Sequence, residues 1–143
     1  MKRLINSIKN GDALMLKKIL ILVVLILLVF LPTAPVHAAD LVGSCETLLK
    51  GSWNGSVCTI PTGNTGEVPS GVSLGVALGQ TIVVNGTLNI NGELNLQGGT
   101  LSNNATTNNN GTINNYTPPT AQQYSVKNYG TFKNNGSIQI FEN

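Results

Sequence analysis

Apolar residues recur every six positions from about Val72 to the end of the chain. Val76, Ile82, Leu88 and Leu94 lie on one six-residue track, and Val72, Leu78, Val84, Ile90 and Leu96 on a second. After an inserted glycine the first track resumes at Leu101, Thr107 and Ile113, and after a longer insertion at Val126, Phe132 and Ile138. So short a period excludes an ordinary globular core. Each unit can bury its apolar side chains only by stacking on its neighbours.

The clearest units are Thr87-Leu-Asn-Ile-Asn-Gly92 and Glu93-Leu-Asn-Leu-Gln-Gly98. Both alternate polar and apolar residues and then break. Alternation is the strand signal, because successive side chains point to opposite faces. Asn-Gly is a turn signal, because both residues tolerate positive φ. An antiparallel meander and a solenoid could each use such units. In a meander turning at Asn91-Gly92, Ile90 would oppose Glu93, Asn89 would oppose Leu94 and Leu88 would oppose Asn95. Opposed residues share a face, so neither face would be dry. In a solenoid Leu88, Ile90, Leu94 and Leu96 all point inward. The expectation is therefore an all-β fold, a short parallel β-solenoid (β-helix) of six-residue repeats. Three hexads would make a triangular coil of about 18 residues, stacked three to four high.

The stretch from Asn103 to Asn115 interrupts the apolar tracks. Thr107 replaces an inward apolar residue, and Asn103, Asn109 and Asn115 occupy the second track. This region reads either as inward asparagine ladders or as a ragged, weakly packed segment. The segment Thr117-Pro-Pro-Thr-Ala-Gln-Gln123 has two prolines and reads as a loop pushed out from one corner.

Residues 1–38 read as a cleavable signal helix. Lys17 and Lys18 precede an unbroken apolar run from Ile19 to Leu31, Pro32 and Pro35 end it, and Val36-His-Ala38 suits cleavage before Ala39. The run is shorter than the ~20 residues that span a bilayer, so contact with a membrane is expected only through an uncleaved leader. Met15 leaves open a start just before this signal. Five of the eight basic residues lie in the leader. The remainder keeps three lysines against five carboxylates, a net charge of −2. No basic stripe is left to follow a nucleic-acid backbone.

Residues 39–69 differ in character and read as an N-terminal cap, with the repeat domain at 70–143. Cys45 and Cys58 suit a disulfide in an exported protein, closing a 14-residue loop and contributing roughly 3 kcal/mol. With only two thiols and no histidine beyond residue 38, a closed zinc site within one chain is not expected. Ser44 is expected to cap a short helix from Cys45 to Lys50, ended by Gly51. Trp53 reads first as apolar mass beside the disulfide and second as a platform for stacking a glycan.

Little in the mature sequence suggests catalysis. It lacks histidine and arginine, its carboxylates are scattered singly, and Asp40 is its one aspartate. No enzyme activity, cofactor or metal is expected. Six sequons, at Asn54, Asn85, Asn104, Asn110, Asn115 and Asn135, are candidate N-glycosylation sites, although Asn-Gly-Thr is also simply the repeat corner. An outward hydroxyl track runs through Thr81, Thr87, Thr100, Thr106, Thr112, Ser125, Thr131 and Ser137, interrupted by Glu93. It reads mainly as β-branched residues chosen for strand propensity. The rival reading is a face for ice or a crystalline polysaccharide.

Cys45…Trp53…Cys58, the run from Val76 to Leu96, Gly111-Thr-Ile-Asn-Asn115 and Gly130-Thr-Phe-Lys-Asn-Asn135 together carry a resemblance. The chain resembles secreted prokaryotic proteins of archaeal type with Gly-Thr-Ile-Asn-Asn repeats. That resemblance implies a β-solenoid, adhesin-like surface protein without an assigned activity. The hexads are also similar to the left-handed β-helix of acyltransferases. Those enzymes imply a catalytic histidine, whereas His37 lies in the leader.

Three functions follow as expectations. The first is a non-enzymatic secreted or cell-surface structural or adhesive protein, with surface glycans or surface-layer proteins as partners. The second is an extracellular filament subunit whose partner is itself. Its last repeat, Gly136-Ser-Ile-Gln-Ile140, reads as uncapped and open to end-to-end stacking. The third is a glycan- or ice-binding module.

Overall fold

The computed structural model describes residues 37–117 and 126–142; residues 1–36, and the signal-helix expectation tied to them, lie outside the described residues, whereas His37 and Ala38, the last two residues of the expected leader, belong to β1 and pair with Val72 and Ser73, so the expected cleavage before Ala39 would fall within that strand. The elements are β1 (His37–Asp40), α1 (Leu41–Thr47), β2 (Ser52–Asn54), β3 (Val57–Ile60), β4 (Thr65–Val68), β5 (Val72–Ala77), β6 (Thr81–Val84), β7 (Thr87–Ile90), β8 (Glu93–Gln97), β9 (Thr100–Asn103), β10 (Thr106–Asn109), β11 (Thr112–Thr117), β12 (Val126–Asn128), β13 (Thr131–Asn134) and β14 (Ser137–Glu142). They form a β-solenoid of about three turns. Its three sheets run β1-β5-β8-β11-β14, β13-β10-β7-β4 and β12-β9-β6-β3-β2; we call them sheets A, C and B. Every strand pair is parallel except the β2–β3 hairpin. A meander would have made them antiparallel.

Stacking puts like residues above one another. Leu74, Leu94 and Ile113 are register partners up sheet A, and Ile82 and Leu101 up sheet B. All five are fully buried, as are Val84, Leu88, Ile90 and Leu96. Burying each such side chain contributes about 1.5–3 kcal/mol, while the backbone bonds run between coils. Neither contribution exists for one coil alone.

The six-residue phase breaks once where none was expected. Leu74, not Val76, pairs with Leu94, while Val76 pairs with Leu96. Leu78 is therefore not an inward residue of the second track; it is 68% exposed. The cause is the extra length Leu78-Gly79-Gln80 between β5 and β6. The same corner, from sheet A to sheet B, takes Gly98-Gly99 in the next coil. Of the expected loop, residues 118–123 lie outside the described residues, while Thr117 still belongs to β11.

From β6 onward the other corners hold two residues each, and several are Asn-Gly. Their glycines do not supply positive φ, which is confined to other glycines and to Lys50. Gly111 is required for close approach instead: a Cβ there would collide with the carbonyl oxygen of Gly92 in the coil below. The turn reading of Asn-Gly identified the corners but gave the wrong reason for them.

The first coil begins before residue 70, where the repeat domain was expected to start. β3 and β4 already pair in parallel with β6 and β7. The helix also starts earlier than expected. Its N-cap is Asp40, extended at φ −88° and ψ 158°, which accepts from Gly43 N at 2.7 Å. Ser44 and Cys45 are inside the helix and buried. An aspartate one residue before an apolar start satisfies the orphan amides more directly than Ser44 could. The helix ends at Thr47, and Lys50 rather than Gly51 takes the left-handed conformation at φ 51°. Leu41, Cys45 and Leu49 cover the first coil from within the core cluster. Cys45 and Cys58 form the expected disulfide, with S–S 2.07 Å and Cα–Cα 5.6 Å, tying α1 to β3.

Candidate functional surfaces

The solenoid presents three flat outer faces, and their side chains form columns because the coils stack in register. On sheet C, Thr65, Thr87, Thr106 and Thr131 are successive register partners. Neighbouring strands are ~4.8 Å apart, so this column is a regular row of hydroxyls and methyls. Beside it run Glu67, Asn89, Asn108 and Lys133. Asn108 Nδ2 donates to Asn89 Oδ1 at 2.9 Å, which orients the middle of that column.

The hydroxyl track read from sequence is therefore divided among the faces. Sheet C holds Thr87, Thr106 and Thr131 and adds Thr65, which lies before the recognised repeats. Sheet B holds Thr81 and Thr100 as partners. Sheet A holds Thr112 and Ser137 in one column with Glu93 and Ser73. Ser125 lies outside the described residues. A shallow depression of about 380 Å³ on sheet B is lined by Gly79, Thr81, Val83, Thr100, Ser102 and Lys127. Another, of about 460 Å³, on sheet A is lined in part by Ala38, Ser73, Gly75, Asn95 and Gln97.

Asparagine ladders run along the corners and faces. Asn135 donates to Asn110 Oδ1 (3.1 Å), Asn110 to Asn91 Oδ1 (3.0 Å), and Asn91 to Glu67 Oε1 (2.9 Å). Asn114 donates to Asn95 Oδ1 (2.8 Å) and Asn95 to Ser73 Oγ (2.6 Å). The inward asparagines also form ladders, so the stretch after Leu101 is ordered rather than ragged. Asn103 donates to Asn128 Oδ1 (2.7 Å) and to the Thr131 carbonyl (2.9 Å). Asn109 repeats this with Asn134 Oδ1 (2.7 Å) and the Ser137 carbonyl (3.0 Å). Thr107 Oγ1 is buried with no hydrogen-bond partner among the described residues, as are the Oδ1 atoms of Asn103, Asn109, Asn114 and Asn115.

These ladders decide how the sequons are presented. Asn85 accepts from Asn104 at 2.9 Å, and Asn110 and Asn135 bond to each other. Asn115 pairs in register with Leu96, and its Oδ1 is buried. Asn54 stands apart, exposed at the tip of the β2–β3 hairpin. Trp53, opposite Cys58 in that hairpin, is half-buried and packs against the core. Only part of its ring is available for stacking.

Among the described residues no three of His, Cys, Asp and Glu gather closely enough to hold a metal ion. No helix among them is long and apolar enough to cross a membrane. At the last coil, Ile138 and Ile140 continue the inward rows of Ile113 and Asn115 yet are 45% and 65% exposed. Phe141 stacks on Tyr116 on the outside of sheet A, with centroids 4.7 Å apart and planes 9° from parallel. No protein-family model, curated protein or solved structure matches the chain.

Proposed function

We propose that this chain is a non-enzymatic structural or adhesive β-solenoid, exported by its leader and displayed outside the cell or on its surface. The observation that supports this reading best is the face of sheet C. There a four-residue threonine column runs beside a hydrogen-bonded asparagine pair on a rigid parallel sheet. Such a face offers neutral donors and acceptors at a fixed repeat. It suits extended, uncharged partners such as surface glycans or the polar faces of surface-layer proteins. The bond between Asn108 and Asn89 already orders that pair, so contact with a partner there loses little further entropy. The leader supports export, and the Cys45–Cys58 disulfide is at home in an oxidising compartment.

Immunolabelling of intact source cells, against cells making residues 39–143 without a leader, tests this reading. Surface label that depends on the leader is expected; label confined to lysed cells would overturn it. Adhesive use of sheet C is tested by binding to isolated envelopes. The double variant Thr87→Lys, Thr106→Lys should lose binding while keeping its fold, and equal binding would remove sheet C from the account. Thermal hysteresis of the same protein decides the ice-binding form of this face.

A second reading, self-assembly through the ends, is favoured by the exposure of Ile138 and Ile140 on the last coil. Exposed strand edges above apolar side chains are templates for pairing with another copy. Electron microscopy over a range of concentrations tests it. Fibres of uniform width that Ile138→Asp and Ile140→Lys abolish would support the filament. Discrete particles at every concentration would exclude it.

A further inference from the structure

Five Asn-Gly dipeptides occur in the described residues, at Asn54, Asn85, Asn91, Asn110 and Asn135. Four are solenoid corners; the fifth is the hairpin tip outside the stack. We propose that Asn54 is a site of spontaneous covalent modification, where the chain converts its own amide to an acid through a cyclic imide with Gly55.

In this step the Gly55 backbone nitrogen attacks the side-chain carbonyl carbon of Asn54. A new C–N bond closes a five-membered succinimide. The bond to the side-chain nitrogen breaks, and ammonia leaves carrying the proton lost from Gly55. Water then opens the ring at either carbonyl, giving aspartate or, with one extra methylene in the backbone, isoaspartate. Nothing is oxidised or reduced, and water is the only co-reactant.

The attack needs an unengaged side-chain amide, an unengaged glycine N–H and room to swing. Asn54 is exposed, and no hydrogen bond among the described residues holds its amide or the Gly55 N–H. Gly55 sits at φ +62° with open space around the position a Cβ would take. It is the first residue of a two-residue loop closed by Asn54 and Val57. Glycine there meets the backbone demand of such a loop and leaves the reacting nitrogen unshielded.

Three of the four corner sites are locked on both sides of the same reaction. Gly92, Gly111 and Gly136 each donate their N–H to the coil below, to the carbonyls of Val68 (3.0 Å), Ile90 (2.9 Å) and Asn109 (3.0 Å). The amides of Asn91, Asn110 and Asn135 are held in one ladder. Asn85 is intermediate: its side chain accepts from Asn104, and the carbonyls of Pro61 and Asn64 crowd Gly86 where a Cβ would sit, but no bond among the described residues holds the Gly86 N–H. The repeat that makes the chain rich in Asn-Gly thus also protects three of its corners, and that protection is missing at Asn54.

The test is peptide mapping by mass spectrometry of the full chain, disulfide intact, aged in mildly alkaline buffer, with isoaspartate quantified at each site. Conversion at Asn54 should run about tenfold or more ahead of Asn91, Asn110 and Asn135, since each locked site must first break hydrogen bonds. In the reduced, denatured chain the five rates should converge. The variant Asn54→Gln, which cannot form the five-membered ring, should lose the fast phase without change in thermal melting. Equal rates at Asn54 and at Asn91, Asn110 and Asn135 in the folded chain would overturn the proposal, as would a fast Asn54 whose lead persists after denaturation.

Discussion

Asn109 on β10 and Asn134 on β13 are register partners in neighbouring coils, and the Asn109 amide donates to the Asn134 Oδ1 at 2.7 Å. Its second proton goes to the Ser137 carbonyl at 3.0 Å, across the next corner. One buried side chain thus fastens both the coil above and the turn that carries the chain onward. Asn103 does the same one side earlier.

Removing that fastening should cost more than removing an outer one. Asn109→Ala leaves carbonyl acceptors without their donor and a small cavity, and is expected to lower stability by about 1–3 kcal/mol. Asn108→Ala, whose side chain bonds to Asn89 on the outer face, should cost less than about 1 kcal/mol. Thermal or urea unfolding of the two variants makes the comparison; an equal or reversed order would show that the inner ladder carries no special weight.

The glycine at a stacked corner should be irreplaceable while one in the outer wall is not. Gly111→Ala forces a methyl onto the Gly92 carbonyl and the Asn91 backbone and should cost several times RT, on the order of 2 kcal/mol or more. At Gly75 the nearest atom to an added Cβ is the Ala39 carbonyl, at 3.8 Å, and φ is not positive. Gly75→Ala should therefore raise stability by about 0.4–1 kcal/mol through the unfolded chain. Urea midpoints of both variants test the pair.

Leu78 should be expendable. It is exposed at the sheet A to sheet B corner, whereas Leu96 is fully buried. Leu78→Ser is expected to stay within about 0.5 kcal/mol of the parent, and Leu96→Ala to lose about 2–5 kcal/mol. A large loss at Leu78 in melting experiments would restore it to the interior track.

Reducing the Cys45–Cys58 bond should lower stability by roughly 3 kcal/mol, chiefly by releasing constraint on the unfolded chain. Melting with and without reductant checks this, and the paired variant Cys45→Ser, Cys58→Ser should match the reduced protein.

The solenoid was legible because alternation and a six-residue break admit only one arrangement with a dry interior. Leu88, Ile90, Leu94 and Leu96 sit where that argument puts them. The phase error at Val76 and Leu78 arose because β5 is six residues long and its corner takes three more. A strict count of six cannot register an outward bulge. The inward asparagines were ambiguous for a different reason: polarity alone does not say whether a buried amide finds a partner, and the partners of Asn103 and Asn109 lie a whole coil away. The threonine column on sheet C was missed in part because Thr65 precedes the visible repeat, and because columns depend on coil length. The offset between register partners varies from 19 residues between Thr87 and Thr106 to 25 between Thr106 and Thr131.

The most direct test of the stacked-coil account is solution NMR of isotopically labelled protein, reading backbone contacts between strands. The account expects contacts joining Thr106 to Thr87 and to Thr131, and Leu94 to Leu74 and Ile113. Contacts joining Ile90 to Glu93 and Leu88 to Asn95 across Asn91-Gly92 would mean an antiparallel meander, and the ladders, the faces and the functions proposed from them would fall together.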